Sequence, residues 1–250
     1  MSDNGISGKL AVITGAAQGI GKAIGEEFIA QGARVVVADL NAETGQATAG
    51  ELGAGFVPID VTDAASVKAA VARVEAEWGA IDVWVNDAGI AGNAAAEEMT
   101  DELWDAVIGV NLSGTFRCCR EAGRVMIPRG KGAIVNIASM SGIISNHPQP
   151  QCAYNASKGG VIMLTKSLAG EWAPKGLRVN AVSPGYTRTA ILDNVEKLQP
   201  EWTSVWYGDT PMGRAAKVSE IANVVVFLAS ERASFMTGSN VVVDGGFTCW

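Results

Sequence analysis

The chain is poor in the residues that bind metals or form cross-links. It has one histidine, His147, and four cysteines, Cys118, Cys119, Cys152 and Cys249, among 250 residues. No C-x-x-C pair occurs, so the spacing of a His/Cys metal site is missing and no metal ligand set is expected. Scattered thiols fit reduced cysteines rather than a disulfide framework. No apolar run reaches the ~20 residues that cross a bilayer, and the opening Met-Ser-Asp-Asn-Gly has no basic stretch leading into an apolar one. A cytoplasmic protein with no membrane partner is expected. Positive charge is scarce too: 19 Lys and Arg stand against 26 Asp and Glu, and the net charge of −7 is spread along the chain. That argues against a nucleic-acid partner. No repeat, low-complexity stretch or linker divides the sequence. One domain over 1–250 is expected, long enough for a substantial core.

What is present is an alternation. Short apolar runs at 9–13, 34–38, 55–59, 81–85, 132–138, 177–182 and 240–243 are separated by helical patterns. Strand and helix in turn imply parallel pairing with right-handed crossovers, an α/β fold of the Rossmann, doubly wound type. Continuous runs such as Val35-Val36-Val37 suit strands covered by helices on both faces. Two helices, roughly 101–127 and 153–173, carry apolar stripes. Val161, Leu164, Leu168 and Trp172 on the second mark either an oligomer interface or packing on the sheet. Region 188–216 departs from the alternation and gathers Trp202, Trp206 and Tyr207. It reads as core or interface aromatics, or as a mobile lid over a substrate.

The first strand runs straight into Thr14-Gly-Ala-Ala-Gln-Gly-Ile-Gly21. A glycine-rich turn between strand and helix lets a pyrophosphate approach backbone N–H groups at the helix N-terminus. The second strand ends in Asp39, 24 residues after Gly15, near the spacing of an acid that binds an adenosine ribose diol. Asp39 is otherwise an N-cap for the helical stretch from Ala42. No cation follows it, and Gln18 stands in the turn where one was possible, which favours NAD over NADP. Further on, Tyr154 and Lys158 lie four residues apart in a helical run, on one face with β-carbons roughly 5–6 Å apart. A tyrosine with a pKa of about 10 is a poor base, and a neighbouring cation lowers that value. The pair suits proton transfer to or from an alcohol. Tyr and Lys at this spacing also arise by chance, and it is the N-terminal turn that gives the pair weight.

Together these residues resemble the classical short-chain dehydrogenase/reductase family over essentially the whole chain. The turn Thr14 to Gly21, with Gly15, Gly19, Ile20 and Gly21, matches its glycine motif. Asp60 and Val61 match its adenine-contacting pair. Asn86-Asp-Ala-Gly89 matches its Asn-Asn-Ala-Gly turn, except that Asp87 replaces an asparagine, a change expected to leave the chemistry untouched. Pro184, Gly185, Thr187 and Thr189 match the segment that grips the nicotinamide carboxamide. The resemblance implies seven parallel strands in the order 3-2-1-4-5-6-7 and a homotetramer. It also implies a catalytic set of Asn111, Ser139, Tyr154 and Lys158. Tyr154 would take the hydroxyl proton, Ser139 would hold the same oxygen, Lys158 would bind the nicotinamide ribose, and Asn111 would hold a relay water.

One spacing departs from the commonest family pattern. The serine usually stands 13 residues before the tyrosine, which selects Ser141. Ser139 stands 15 before it, but directly follows the apolar run ending at Ala138. Strand placement favours Ser139, with two extra residues in the loop 144–151. That loop, and the ending Asp244-Gly-Gly-Phe-Thr-Cys-Trp250, resemble the galactitol-type bacterial polyol dehydrogenases. This implies an NAD-dependent oxidoreductase acting on a polyol or its ketone, with Ser141 and Asn146 as substrate contacts or merely turn residues. It also implies a possible structural divalent cation at the C-terminus. His147 is a second candidate contact or a solvated loop residue. The rival readings are a 3-oxoacyl or other carbonyl reductase and a non-catalytic cofactor-sensing protein.

Overall fold

The computed structural model describes residues 5–250. Seven strands form one sheet: β1 (Leu10–Thr14), β2 (Arg34–Asp39), β3 (Gly55–Pro58), β4 (Val83–Asn86), β5 (Gly132–Ile137), β6 (Leu177–Pro184) and β7 (Asn240–Val243). All pairings are parallel and the order is β3-β2-β1-β4-β5-β6-β7. The expected order is therefore the observed one. The strand ends shift by one or two residues. Ile81 is fully buried but lies before the ladder of β4, and β6 runs on to Pro184 because its last residues pair with β7.

Among the described residues, nine α-helices connect and cover the strands: α1 (Gly19–Ala30), α2 (Ala42–Leu52), α3 (Ala64–Trp78), α4 (Asp101–Ile108), α5 (Thr115–Met126), α6 (Cys152–Trp172), α7 (Ala190–Leu198), α8 (Pro200–Asp209) and α9 (Val218–Ala229). Side chains alternate across each strand. Ala11, Ile13, Val35 and Val37 pack with Ile24 and Phe28 of α1 and with Ile221 and Val225 of α9. Leu10, Val12, Val36 and Ala38 pack on the other face with Val71 and Val74 of α3, Met126 of α5 and Trp172 of α6. Burying each Val, Leu or Ile contributes about 1.5–3 kcal/mol, so both faces are held.

The apolar stripe of α6 is explained by that packing. Val161, Leu168 and Trp172 are buried within the chain. The exposed large apolar residues on these helices are Trp104 on α4, Phe116 on α5 and Met163 on α6. The expected single helix over 101–127 is interrupted by a π-helical turn, Gly109–Gly114, which carries Asn111. Such turns are rare and gather at functional sites. Helices α7 and α8 form a hairpin with a small apolar cluster of its own, Leu192, Trp206 and Ala215, against which Tyr186, Val195, Trp202 and Tyr207 lie.

The strand order reverses between β1 and β4. In a doubly wound sheet the ligand crevice lies there, beyond the carboxyl ends of the strands.

Candidate active site

A cleft of about 790 Å³ occupies that crevice. Its outer arm is lined by Gly15, Gln18, Gly19, Ile20, Asp39, Asp60, Val61 and Gly89, and its inner end by Ser139, Ser141, Asn146, Tyr154, Lys158, Pro184, Gly185, Thr187 and Thr189. Three expected site residues, Gly21, Asn86 and Asn111, do not line it.

The outer arm fits an anionic dinucleotide. Gly15 has φ of +69°, and a Cβ there would lie 2.8 Å from the backbone of Ala88. A Cβ on Gly21 would meet the Gly15 carbonyl at 2.6 Å, so Gly21 serves the close passage of turn and helix rather than the cleft wall. Gln18, at the N-cap of α1, makes no side-chain cap. The first N–H groups of that helix form a natural anion site. Asp39 accepts from Ala17 N and from Asn41 N, both at 3.0 Å. It is not the N-cap of α2, because Asn41 holds that place by accepting from Thr44 N at 3.1 Å. The Thr62 hydroxyl and N–H hold Asp60 below the usual carboxylate range.

Asn86 lies behind the cleft wall. Its side chain accepts from Trp84 Nε1 at 2.8 Å and donates to Asn136 Oδ1 at 2.8 Å and Cys119 Sγ at 3.2 Å. Strand alternation turns it into the sheet beside Trp84. There it ties β4 to β5 and α5 behind the cleft and makes no wall contact.

At the inner end the Ser139 hydroxyl stands beside the Tyr154 phenol and favours its ionised form. Ser139 Oγ also accepts from Ser141 N at 3.1 Å. Ser141 lies deeper in the turn, its hydroxyl accepting from Gln151 Nε2 at 3.2 Å. Lys158 is buried and donates to Ile137 O at 2.8 Å, with its ammonium 5.6 Å from the Tyr154 ring centroid. The expected lowering of the tyrosine pKa is not found in this chain alone. Burial pushes the phenol up, and Ser139 opposes this only in part. Burial also brings Lys158 down to about 8, against the pull of Asp87. The spacing of the pair does not reveal desolvation, which here is the largest influence on both groups.

Asn111, expected to hold a relay water, is buried and braces the site through its protein partners. Its amide accepts from Ile90 N at 2.8 Å and donates to Ile90 O at 2.9 Å and Ser157 Oγ at 3.1 Å, using both amide hydrogens. Its carbonyl accepts from Thr115 Oγ1 at 2.7 Å. Asn111 is a positioning residue that clamps the loop after Gly89 to α6.

Toward the α7–α8 hairpin the cleft wall is a polar network. Asn146 and Gln149 both donate to Tyr186 Oη, Gln151 donates to Asn146, and Trp206 donates to Gln149. Tyr186, Gln149, Gln151 and Trp206 were not legible as site residues, although Tyr186 directly follows Gly185 and the two glutamines flank Pro150 in the loop already singled out. His147 lies outside the cleft wall, two-thirds exposed, with Nε2 3.3 Å from Asp209 of α8. Among the described residues no group of three His, Cys, Asp or Glu gathers for a metal. Near the C-terminus the Asp244 oxygens are taken by Gly246 N, Thr248 N and the Thr248 hydroxyl.

Comparison with known proteins agrees with this geometry. A family model described as enoyl-(acyl carrier protein) reductase matches residues 15–248. A galactitol 2-dehydrogenase (L-tagatose-forming) of Cereibacter sphaeroides is 46% identical, over 98% of this chain and 97% of that protein. A D-threitol dehydrogenase of Mycolicibacterium smegmatis is 44% identical, over 97% and 94%. The crystal structure of a gluconate 5-dehydrogenase from Burkholderia cenocepacia in complex with NADP and tartrate superposes with a TM-score of 0.93 at 34% identity, covering 99% of this chain and 98% of that one. With the glycine turn, the Tyr154–Lys158 pair and near full-length matches to several dehydrogenases, this chain belongs to the short-chain dehydrogenase/reductase family.

Proposed function

We propose that this chain catalyses reversible hydride transfer between NAD and a secondary alcohol of a polyol, giving the ketone. The grouping of Tyr154, Ser139 and Lys158 at the inner end of the cleft carries this reading. In oxidation Tyr154 takes the hydroxyl proton while Ser139 holds the same oxygen. In reduction Tyr154 returns the proton, the direction its raised pKa favours. When bound, the oxidised nicotinamide accepts the hydride and brings a positive charge that favours the phenolate. Lys158 holds the nicotinamide ribose, and Pro184, Gly185, Thr187 and Thr189 hold the carboxamide. Gly15, Gln18, Gly19 and Ile20 receive the pyrophosphate, and Asp60 and Val61 the adenine.

NAD rather than NADP follows from Asp39, whose carboxylate suits ribose hydroxyls and repels a 2′-phosphate. The gluconate 5-dehydrogenase complex holds NADP; for this chain the choice of NAD is read from Asp39. Polyols follow from the polar wall around Ser141 and Asn146 and from the galactitol and threitol relatives. The segment 188–216 acts as the lid, since Trp202 and Trp206 reach the cleft wall. The chain works in the cytoplasm as a homotetramer, for which Phe116, Met163 and Trp250 offer exposed apolar surface.

Absorbance at 340 nm with NAD or NADP and a panel of galactitol, threitol and simple secondary alcohols tests the reading. Polyol-dependent NADH formation is expected. Faster reduction of a 3-oxoacyl thioester with NADPH would make the chain a carbonyl reductase. NAD binding without turnover of any alcohol or ketone would make it a cofactor sensor.

A further inference from the structure

Tyr186 lies where β6 leaves the sheet, between the lid and the loop before α6. Its ring is fixed on two sides. It stacks on Trp206 with centroids 4.2 Å apart and planes 11° apart, and meets Phe247 edge-on at 5.6 Å and 80°.

Its oxygen is fixed as well. The Trp206 indole donates to Gln149 Oε1 at 2.9 Å. An indole nitrogen can only donate, so this bond orients the Gln149 amide and turns its NH2 toward Tyr186. Gln149 Nε2 then donates to the phenol at 3.2 Å. Asn146 donates a second bond at 3.0 Å, its own amide oriented by Gln151, which donates to Asn146 Oδ1 at 3.0 Å. The phenol oxygen therefore accepts twice. Among the described residues no bond takes its hydrogen. Burial pushes this phenol up to about 12, so it keeps that hydrogen at neutral pH. Tyr186 shares the cleft wall with Ser139 and Tyr154.

We propose that Tyr186 is a specificity-determining residue that donates its O–H to a substrate hydroxyl on a carbon other than the one oxidised, and so selects polyols over alcohols with a single oxygen. The identity of the bound molecule rests on the hydride-transfer reading above. A rigid donor with filled acceptor sites matches a second hydroxyl. An alcohol without one leaves the donor unpaired in a partly dry wall, which weakens its binding.

Threitol and galactitol are titrated calorimetrically into the NADH-loaded protein, where no hydride can be taken up, for wild type, Tyr186→Phe and Gln149→Glu. Tyr186→Phe should bind both polyols about tenfold more weakly. Gln149→Glu keeps the tyrosine but offers a carboxylate that accepts its hydrogen, and should show a similar loss. NADH fluorescence and melting temperature report whether each variant is folded. In turnover, the ratio of kcat/KM for threitol to that for 2-butanol should fall about tenfold in Tyr186→Phe, mainly through KM. Polyol affinity equal to wild type in folded Tyr186→Phe overturns the proposal. So does an unchanged threitol to 2-butanol ratio, or a wild type that binds neither polyol. If wild type shows the Tyr186-dependent polyol binding yet reduces no NAD, the donor role stands and the reading of the reaction falls.

Discussion

Asp87 and Lys158 each favour the other's charged form. The carboxylate supports a lysine that burial has brought down to about 8, and the lysine opposes the burial that has brought the acid up to about 7. Asp87 also accepts the Gly21 N–H at the start of α1 and feels the like charge of Asp39. The one departure in the Asn86–Gly89 turn thus lies within electrostatic reach of Lys158.

Asp87→Asn removes that support while keeping shape and an acceptor for Gly21. The Lys158 pKa then falls further below about 8. NADH affinity that needs the ammonium should fail at lower pH than in wild type, read by NADH fluorescence across pH 6–9. A limb at the same pH in both proteins would show that the two groups are uncoupled. Stability gives a second readout. The folded pKa of Asp87 lies above its ordinary 3.8, so the folded state binds the extra proton between the two values. That stabilising contribution is complete below about 4 and is lost as pH rises through about 7. Asparagine never ionises. The unliganded variant should therefore melt about 2–4 °C above wild type at pH 8, corresponding to about 1 kcal/mol, and show no such gain at pH 4.

Asp39→Ala should lower kcat/KM with NAD at least about tenfold, since it removes a charge-assisted acceptor of hydrogen bonds. The use of NADP relative to NAD should rise. Steady-state kinetics with both cofactors checks this, and equal use of the two by wild type would remove Asp39 as the determinant.

The α7–α8 hairpin, proposed as a lid, is braced by ion pairs. Arg188 pairs with Asp193 and Glu196 of α7, at 3.3 and 2.5 Å, and Tyr207 of α8 donates to Glu196. NADH with a polyol should protect 190–209 from trypsin. Arg188→Ala should speed cleavage elsewhere in the hairpin by about two- to fivefold, the range expected for a surface ion-pair network. Cleavage at one rate with and without ligands would mark the segment as fixed structure.

Much of this was legible because it is local. The apolar runs fixed the sheet, and the turn Thr14 to Gly21 fixed the cofactor arm, since glycine tolerance and helix start lie in eight consecutive residues. The place of Asn86 behind the cleft was not legible, because the motif gives its position and not the strand face it occupies. The Tyr186 network was invisible because it joins residues near 146–151, 186 and 206, segments with no shared periodicity. Trp206 fits both readings of its region: it is 5% exposed in a small core and still forms part of the cleft wall. The Tyr154 and Lys158 shifts depend on burial, which spacing does not encode.

Ser139 and Ser141 are separated by one residue and should behave differently. Counting back 13 residues from Tyr154 selects Ser141. In the fold, β5 ends at Ile137 and Ala138 N still donates to Val182 O, so Ser139 is the first residue free of the sheet. It is the serine whose hydroxyl meets the Tyr154 phenol, whereas the Ser141 hydroxyl is engaged by Gln151. On this reading the two extra residues expected from the family spacing fall in the loop before α6, where insertions are tolerated. Ser139→Ala should cost about 2 kcal/mol or more in transition-state binding, as removal of an oxyanion-type donor does. Ser141→Ala should act mainly on KM for polyols. Tyr154→Phe provides the scale, with kcat down by about 10²–10⁴-fold and NADH binding largely retained. Kinetics of the three variants with threitol and 2-butanol decides. A dead Ser141→Ala beside an active Ser139→Ala would place the insertion on the other side of the serine and make residue count, not strand geometry, the better guide.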